Sequence, residues 1–182
     1  VEEFPVDEES AENTIAEIEL QVKRRLPVPS DRVITVEGVG SYVIIHTHLG
    51  LIENRTLSRI LAYLISQDMG TPIKVKNDAY RIILESSSIS PEHVTRSIMQ
   101  LMQADTASLA MQSCEETGIF RRRLIQASRK MGAVEPGKMV TIEDAKLLSS
   151  SLKGTAIYEE AIRTMMEEDL DWKAVADLMK DI

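Results

Sequence analysis

The sequence predicts an α+β fold: a small antiparallel β-sheet with a helix, followed by an all-helical bundle. Three observations predict it. Two pairs of β-branched, alternating segments lie within residues 30–86, each pair joined by a tight-turn signal. One helical segment separates the pairs. From residue 90 onward the apolar spacing is helical, punctuated by glycine and proline. In chain order this reads as an acidic tail (1–9), an N-terminal helix and linker (10–29), the sheet with its helix (30–88) and the bundle (89–182).

Residues 1–9 are acidic and contain Pro5, the composition of a tail. From about Ser10, Ile15, Ile18, Leu20, Val22 and Leu26 recur among charges at roughly helical spacing, until Pro27 and Pro29 end the helix. Arg32–Glu37 alternates apolar and polar, and Ser41–His48 is β-branched, with Gly38 and Gly40 between them for a hairpin. Asn54 is the expected N-cap of a helix to Gln67, whose Leu57, Ile60, Leu61, Leu64 and Ile65 share one face. Pro72–Lys76 and Tyr80–Glu85 form a second hairpin turning at Asn77-Asp78. Ser90-Pro91-Glu92 opens the first bundle helix with proline at its first position. Expected bundle helices are 91–103, 107–131 (with Gly118 a possible break), 141–153, 155–167 and 171–180.

The chain starts at Val1, which reads as a piece of something longer. No segment has the run of roughly 18 apolar residues that a membrane span needs, so no membrane partner is expected. Cys114 is the single cysteine, and a cytoplasmic setting is the default expectation. Net charge is -8, yet residues 1–19 hold eight acids and no Lys or Arg, and residues 154–182 are at -5. The stretch 20–153 is therefore at +5, and local charge governs phosphate contact more than the sum does. Aromatic residues make up only 4%, which argues against recognition built mainly on base stacking.

No catalytic centre is expected. A nucleoside-triphosphatase needs a glycine-rich phosphate loop with its lysine and a magnesium-binding acidic motif, and Gly38-Val-Gly40 lacks both the lysine and the following helix. His46 and His48, two apart on a strand, share a face, but a zinc site wants three or four ligands, and His93 and Cys114 lie on other elements. They read better as polar groups on an open sheet face, and no metal is expected. Ser86–Ser88 and Ser149–Ser151 lack a strand-turn-helix elbow and a base, and read as a linker and a helix end.

The informative segment is Phe120–Ala133, with five positive charges and no acid between Arg121 and Lys130. On a helix Arg122 and Arg129 share one stripe, Arg123 and Lys130 the next, and Phe120, Leu124, Ala127 and Met131 form an apolar stripe. Such a basic face contacts nucleic acid, or stays solvated, or docks acidic partners, including this chain's own acidic ends.

Several motifs resemble one family. Tyr42–Gly50, Asn54–Arg59, Val75–Ile82, Phe120–Ala133 (similar to F-x-x-R-F…A-[KR]-R-F-G-A), Gly154–Ala161 and Leu170–Trp172 look like the archaeal Lhr-type, large helicase-related, superfamily 2 DNA helicases. The resemblance runs from about Leu26 to Ile182. Departures are Ala79 where the family has proline, Leu124 where it often has phenylalanine, and Thr56 near an aromatic of bacterial relatives. The resemblance implies the C-terminal module of the helicase core, following two RecA-like motor domains and a winged helix of the same parent chain. It implies an ATP-dependent motor on single-stranded DNA or an RNA:DNA hybrid, with a role in DNA repair. ATP and Mg would belong to the parent protein, and this piece would hold no cofactor.

On that reading the nucleic-acid-binding candidates are Arg55 and Arg59 beside the Asn54 helix start and Lys74 and Lys76 on the second hairpin. Arg121, Arg122, Arg123, Arg129 and Lys130 complete the set on the bundle. Of these, Arg123, Arg129 and Lys130 match basic positions of the family and are the candidates for internal contacts, leaving Arg121 and Arg122 as surface charges. Exchange of Arg122 and Arg129 for glutamate is expected to leave the fold intact. The alternative is a protein–protein interaction module that docks a partner through its bundle.

Overall fold

The computed structural model describes residues 7–28, 30, 33–47, 49–115 and 117–181. Among these, helix α1 spans Glu8–Lys23, strands β1 and β2 span Thr35–Val39 and Tyr42–His46, and α2 spans Leu51–Met69. Strands β3 (Lys74–Asn77) and β4 (Arg81–Glu85) follow, then α3 (Pro91–Met102), α4 (Thr106–Cys114), α5 (Gly118–Lys130), α6 (Ile142–Leu152), α7 (Ala156–Thr164) and α8 (Trp172–Asp181). A π-helical turn, Met165–Asp169, extends α7. This is the α+β arrangement expected, with a four-stranded sheet in the order β1-β2-β4-β3 and every pairing antiparallel.

The sheet's two faces follow from its register. Val36, Ile45, Ile82 and Asn77 form one cross-strand row, and Val43, Leu84 and Val75 fall in the next on the same face. Val43, Ile45, Ile82 and Leu84 are fully buried beneath α2. The opposite face carries Glu37, Ile44, Ile83 and Lys76 in one row and Val39, Tyr42, Glu85 and Lys74 in another. Period-two alternation thus sends every candidate lysine of β3 away from α2.

Helix α2 is the centre of the molecule. It meets β3 and β4 on one side and α3, α4 and α8 on others. Leu57, Ile60, Leu61 and Ile65 are fully buried in a continuous core that reaches from Val43 to Met179. Thr56, also buried, donates its hydroxyl proton to the Ile52 carbonyl and accepts the Asp171 amide, both at 2.9 Å. That bond ties α2 to the start of α8.

Several expected boundaries move, each for a local reason. Helix α1 begins within the expected tail: Asp7 caps it, accepting the Ser10 amide at 2.8 Å, and Glu8 and Glu9 favour the positive end of the helix. Residues 1–6 lie outside the described part of the chain. Strand β1 starts later than expected and runs through Gly38, where a Cβ would lie 3.1 Å from the Pro91 ring. Asn54 is not the cap of α2. The helix starts at Leu51 after Gly50, whose φ of 110° suits glycine, and Asn54 is buried inside the first turn. There it accepts the Thr47 hydroxyl and donates to the Asp78 carbonyl at 2.8 Å, bracing the second hairpin. The expected helix 107–131 is two helices, because Thr117 turns back to bond the Cys114 carbonyl through its hydroxyl at 2.7 Å. The expected helix 155–167 leaves α-geometry at Met165.

Candidate nucleic-acid interface

On α5, Phe120, Leu124 and Ala127 are buried as expected, and Phe120 packs edge-on to Tyr158 of α7 with ring centroids 4.9 Å apart. Met131 departs from the expected apolar stripe. It is the C-cap residue, beyond the last helical turn, and is 49% exposed.

The five cations of this helix are largely committed within the chain. The π-helical turn carries Asp169 into a buried position, where it receives two arginines. Arg123 Nε reaches one carboxylate oxygen at 2.6 Å, and a second nitrogen of the same guanidinium reaches the other at 3.0 Å. Arg122 bonds Asp169 at 3.0 Å, and Arg123 also pairs with Glu168 at 2.8 Å. The side chains of Arg123 and Asp169 are only 17% and 7% exposed, so this is a desolvated, two-pronged pair of the strong class. The hydrogen bonds that Arg123 donates to Asp169 push the Arg123 pKa up, above its already high ordinary value. Arg129 donates to the Lys138 carbonyl at 2.7 Å, pinning the segment after α5. Lys130 lies 3.7 Å from Glu160. Arg121 is half-buried and has an interaction of its own.

The other four candidates sit elsewhere. Lys74 and Lys76 stand on the outer face of the sheet, and Lys74 pairs with Glu85 at 3.1 Å. Arg55 and Arg59 are one helical turn apart on α2, on the stripe continued by Ala62 and Ser66. Among the described residues, Arg55, Arg59 and Lys76 make no ion pair and no side-chain hydrogen bond. Arg59 lines a cavity of about 430 Å³ with Asn77 of β3 and with Ser113 and Thr117 at the α4–α5 corner. The nine candidates therefore fall on three surfaces, with Arg122 and Arg123 brought together on one acid.

The chain's own acidic end is among the docks that sequence offers for this face, but Asp169 itself is not singled out, because the pairing spans 46 and 47 residues and no local pattern encodes it. Sequence reasoning also missed Ser66, Asn77, Ser113 and Thr117 around Arg59, which are scattered over three elements. The second histidine of the His46–His48 pair lies outside the described residues, and His46 Nε2 is 2.9 Å from Glu37. No group of three or more His, Cys, Asp and Glu residues among the described ones is placed to hold a metal ion. Burial pushes the Cys114 thiol pKa up, away from the reactive thiolate. No helix among the described residues is long and apolar enough to cross a membrane.

Comparison with known proteins places relatives beside this geometry. The DEAD/H associated family profile matches residues 28–182. The ATP-dependent helicase Lhr-Core protein 2 of Thermococcus barophilus (strain DSM 11836 / MP) is 24% identical over 190 aligned residues, which take in 95% of this chain. The solved structure of Mycobacterium smegmatis helicase Lhr bound to ssDNA and AMP-PNP superposes with a TM-score of 0.60 at 18% identity, over 84% of this chain. Its fold is shared. This chain spans 22% of the first relative's length and 21% of the second's.

Proposed function

Because this chain belongs to the DEAD/H associated family, we propose that it is a non-catalytic accessory module of an ATP-dependent helicase, guiding single-stranded nucleic acid past the motor domains. The family and the Lhr-type relatives support a helicase-associated role. The observation that carries the guiding role is the set of cations uncommitted among the described residues, Arg55 and Arg59 on α2 and Lys76 on β3. Charges already bonded to acids offer a phosphate little net attraction, whereas uncommitted ones release counterions from the strand when they bind it. ATP and Mg would act in the motor domains of the longer protein, and a DNA strand or the DNA of an RNA:DNA hybrid would be the substrate. A cytoplasmic setting and a role in DNA repair follow as part of the same proposal.

Binding of a fluorescent single strand by the chain, followed across a range of salt concentrations, tests this reading. Phosphate contact predicts that log K falls with log salt by roughly 0.7 per phosphate engaged. A flat salt response, or unchanged affinity and slope in the longer helicase with Arg55 and Lys76 both replaced by glutamate, would sink it.

A second reading has its own support. Ile15, Ile18, Leu20 and Val22 of α1, and Met139, Ile142 and Leu147 at and near α6, are large apolar side chains left exposed. Apolar surface of this kind suits docking, and the RecA-like and winged-helix domains of the same parent chain are the proposed partners. The two readings are compatible, since a module that guides a strand must also be held against its motors.

A further inference from the structure

Arg59 is built into the molecule in a way that local packing leaves unexplained. Its Nε is buried, with no hydrogen-bond partner among the described residues. A buried donor on a charged group left unpaired is costly, so such a group invites a ligand. The cavity beside it, about 430 Å³, is walled by α2, by β3 and by the α4–α5 corner, and no acidic residue is among its described lining residues.

The hydrogen-bond accounts of the other walls point to the ligand's chemistry. Ser58, Ser113 and Thr117 each spend their hydroxyl proton on a backbone carbonyl, of Arg55, Ala110 and Cys114, at 2.9, 2.9 and 2.7 Å. Their oxygens retain lone pairs. The Ser66 hydroxyl and the Asn77 side-chain amide make no hydrogen bond among the described residues, so both have protons to give. The cavity thus combines one guanidinium, two neutral donors and several acceptor oxygens. That set matches an oxyanion on the donors with hydroxyl or amine groups beside it on the acceptors.

We propose that this cavity seats a phosphate group, with Arg59 as its charge partner and Ser66 and Asn77 as its neutral donors. Arg55, one turn earlier on the same stripe of α2, adds positive charge along that helix. The source of the phosphate rests on the nucleic-acid reading above: it is a backbone phosphodiester of a bound strand, whose sugar and base edges meet the acceptor oxygens. Free phosphate is the other possible source, and the test separates them.

The chain, its Arg59→Gln variant and a Ser66→Ala/Asn77→Ala double variant are titrated with a twelve-residue thymidine strand, and separately with inorganic phosphate. Thermal unfolding reports on folding and on phosphate binding. The expected result is that Arg59→Gln keeps a cooperative transition, with a midpoint equal to or above that of the parent because an unpaired buried donor is gone. It should bind the strand about tenfold more weakly, with a salt slope reduced by about one phosphate contact. The double variant should weaken strand binding while keeping the slope. Phosphate should raise the midpoint of the parent chain and not of Arg59→Gln.

Phosphate stabilisation without strand binding would keep the pocket, assign it to free phosphate and overturn the strand reading. Strand binding of unchanged affinity and slope in both folded variants would overturn the pocket and leave the nucleic-acid reading standing. An Arg59→Gln chain that fails to fold would also overturn it, since that would make Arg59 a structural group.

Discussion

Two regions of this chain carry dense positive charge and use it differently. Helix α5 has the denser row, Arg121–Arg123 with Arg129 and Lys130, yet the π-helical turn and α7 answer it with Asp169, Glu168 and Glu160. Helix α2 and strand β3 carry fewer cations, and among the described residues Arg55, Arg59 and Lys76 are left unanswered. Charge density read along a sequence therefore points at α5, while charge available to a ligand points at α2. The reason is topological. The α5 row faces an acidic segment more than forty residues away, whereas the α2 stripe lines a cavity of neutral hydroxyl, amide and apolar side chains.

The largest effect expected from this contrast comes from breaking the α5 pair. Arg123→Ala leaves the buried Asp169 carboxylate with a single partner, and such losses typically cost about 3–5 kcal/mol. Urea unfolding that moves by less than 1 kcal/mol, an estimate set by surface pairs, would show that the pair is in effect solvated. Arg122→Glu is next, because it sets a second carboxylate beside Asp169 instead of a guanidinium. Sequence leads one to expect that exchanging Arg122 and Arg129 together is harmless to the fold; the Arg122 half of that exchange is now expected to destabilise it by roughly 1–3 kcal/mol, readable in the same assay.

On the other side of the contrast, Arg55→Glu with Lys76→Glu should leave stability within about 1 kcal/mol, since Lys76 is exposed and Arg55, though half-buried, gives up no ion pair among the described residues. Strand affinity and the salt slope should fall by one to two phosphate contacts. Equal losses from changing Lys74 and Lys130, which are paired on the surface, would erase the distinction between committed and free charge. Their own contribution to stability is expected at about 0–1 kcal/mol each.

The smallest effect is one of pH. The Tyr158 hydroxyl, and after it Lys153, hold the Glu115 carboxyl below its usual value of 4.5. A carboxyl depressed in the folded state contributes stability that is complete above its unfolded value and lost as pH falls through its folded value. Tyr158→Phe should therefore shrink the acid-side loss of stability below that pH by at most about 1 kcal/mol. A pH profile identical to the parent's would show that the hydroxyl has no part in it.

Much of the fold is legible in the sequence because it is locally encoded. Alternation at Tyr42–His46 and Arg81–Glu85 sets both strands and their buried faces, and Ser90-Pro91 marks the start of α3. The start of α2 is less legible, since Asn54 has the composition of a cap while its side chain serves the Asp78 turn from inside the helix. The π-helical turn is not legible either, because Met-Met-Glu-Glu-Asp suits an ordinary helix and only the demand of Arg122 and Arg123 for an acid distinguishes it. The candidate site divides in the same way. Residue types in it are visible from sequence, but which cations are already spent depends on contacts across the whole chain.

Helix α2 has a consequence for how the molecule comes apart. Because its faces serve both the sheet and the helices, neither part can open without uncovering Leu57, Ile60, Leu61 and Ile65. Opening of one part then exposes the apolar surface that holds the other, which couples them into a single cooperative unit. Amide protons of α2 should exchange with solvent only through global unfolding, at the slowest rates in the chain. Those of α1, whose apolar side chains are largely exposed, should exchange through local fraying at far smaller free energies.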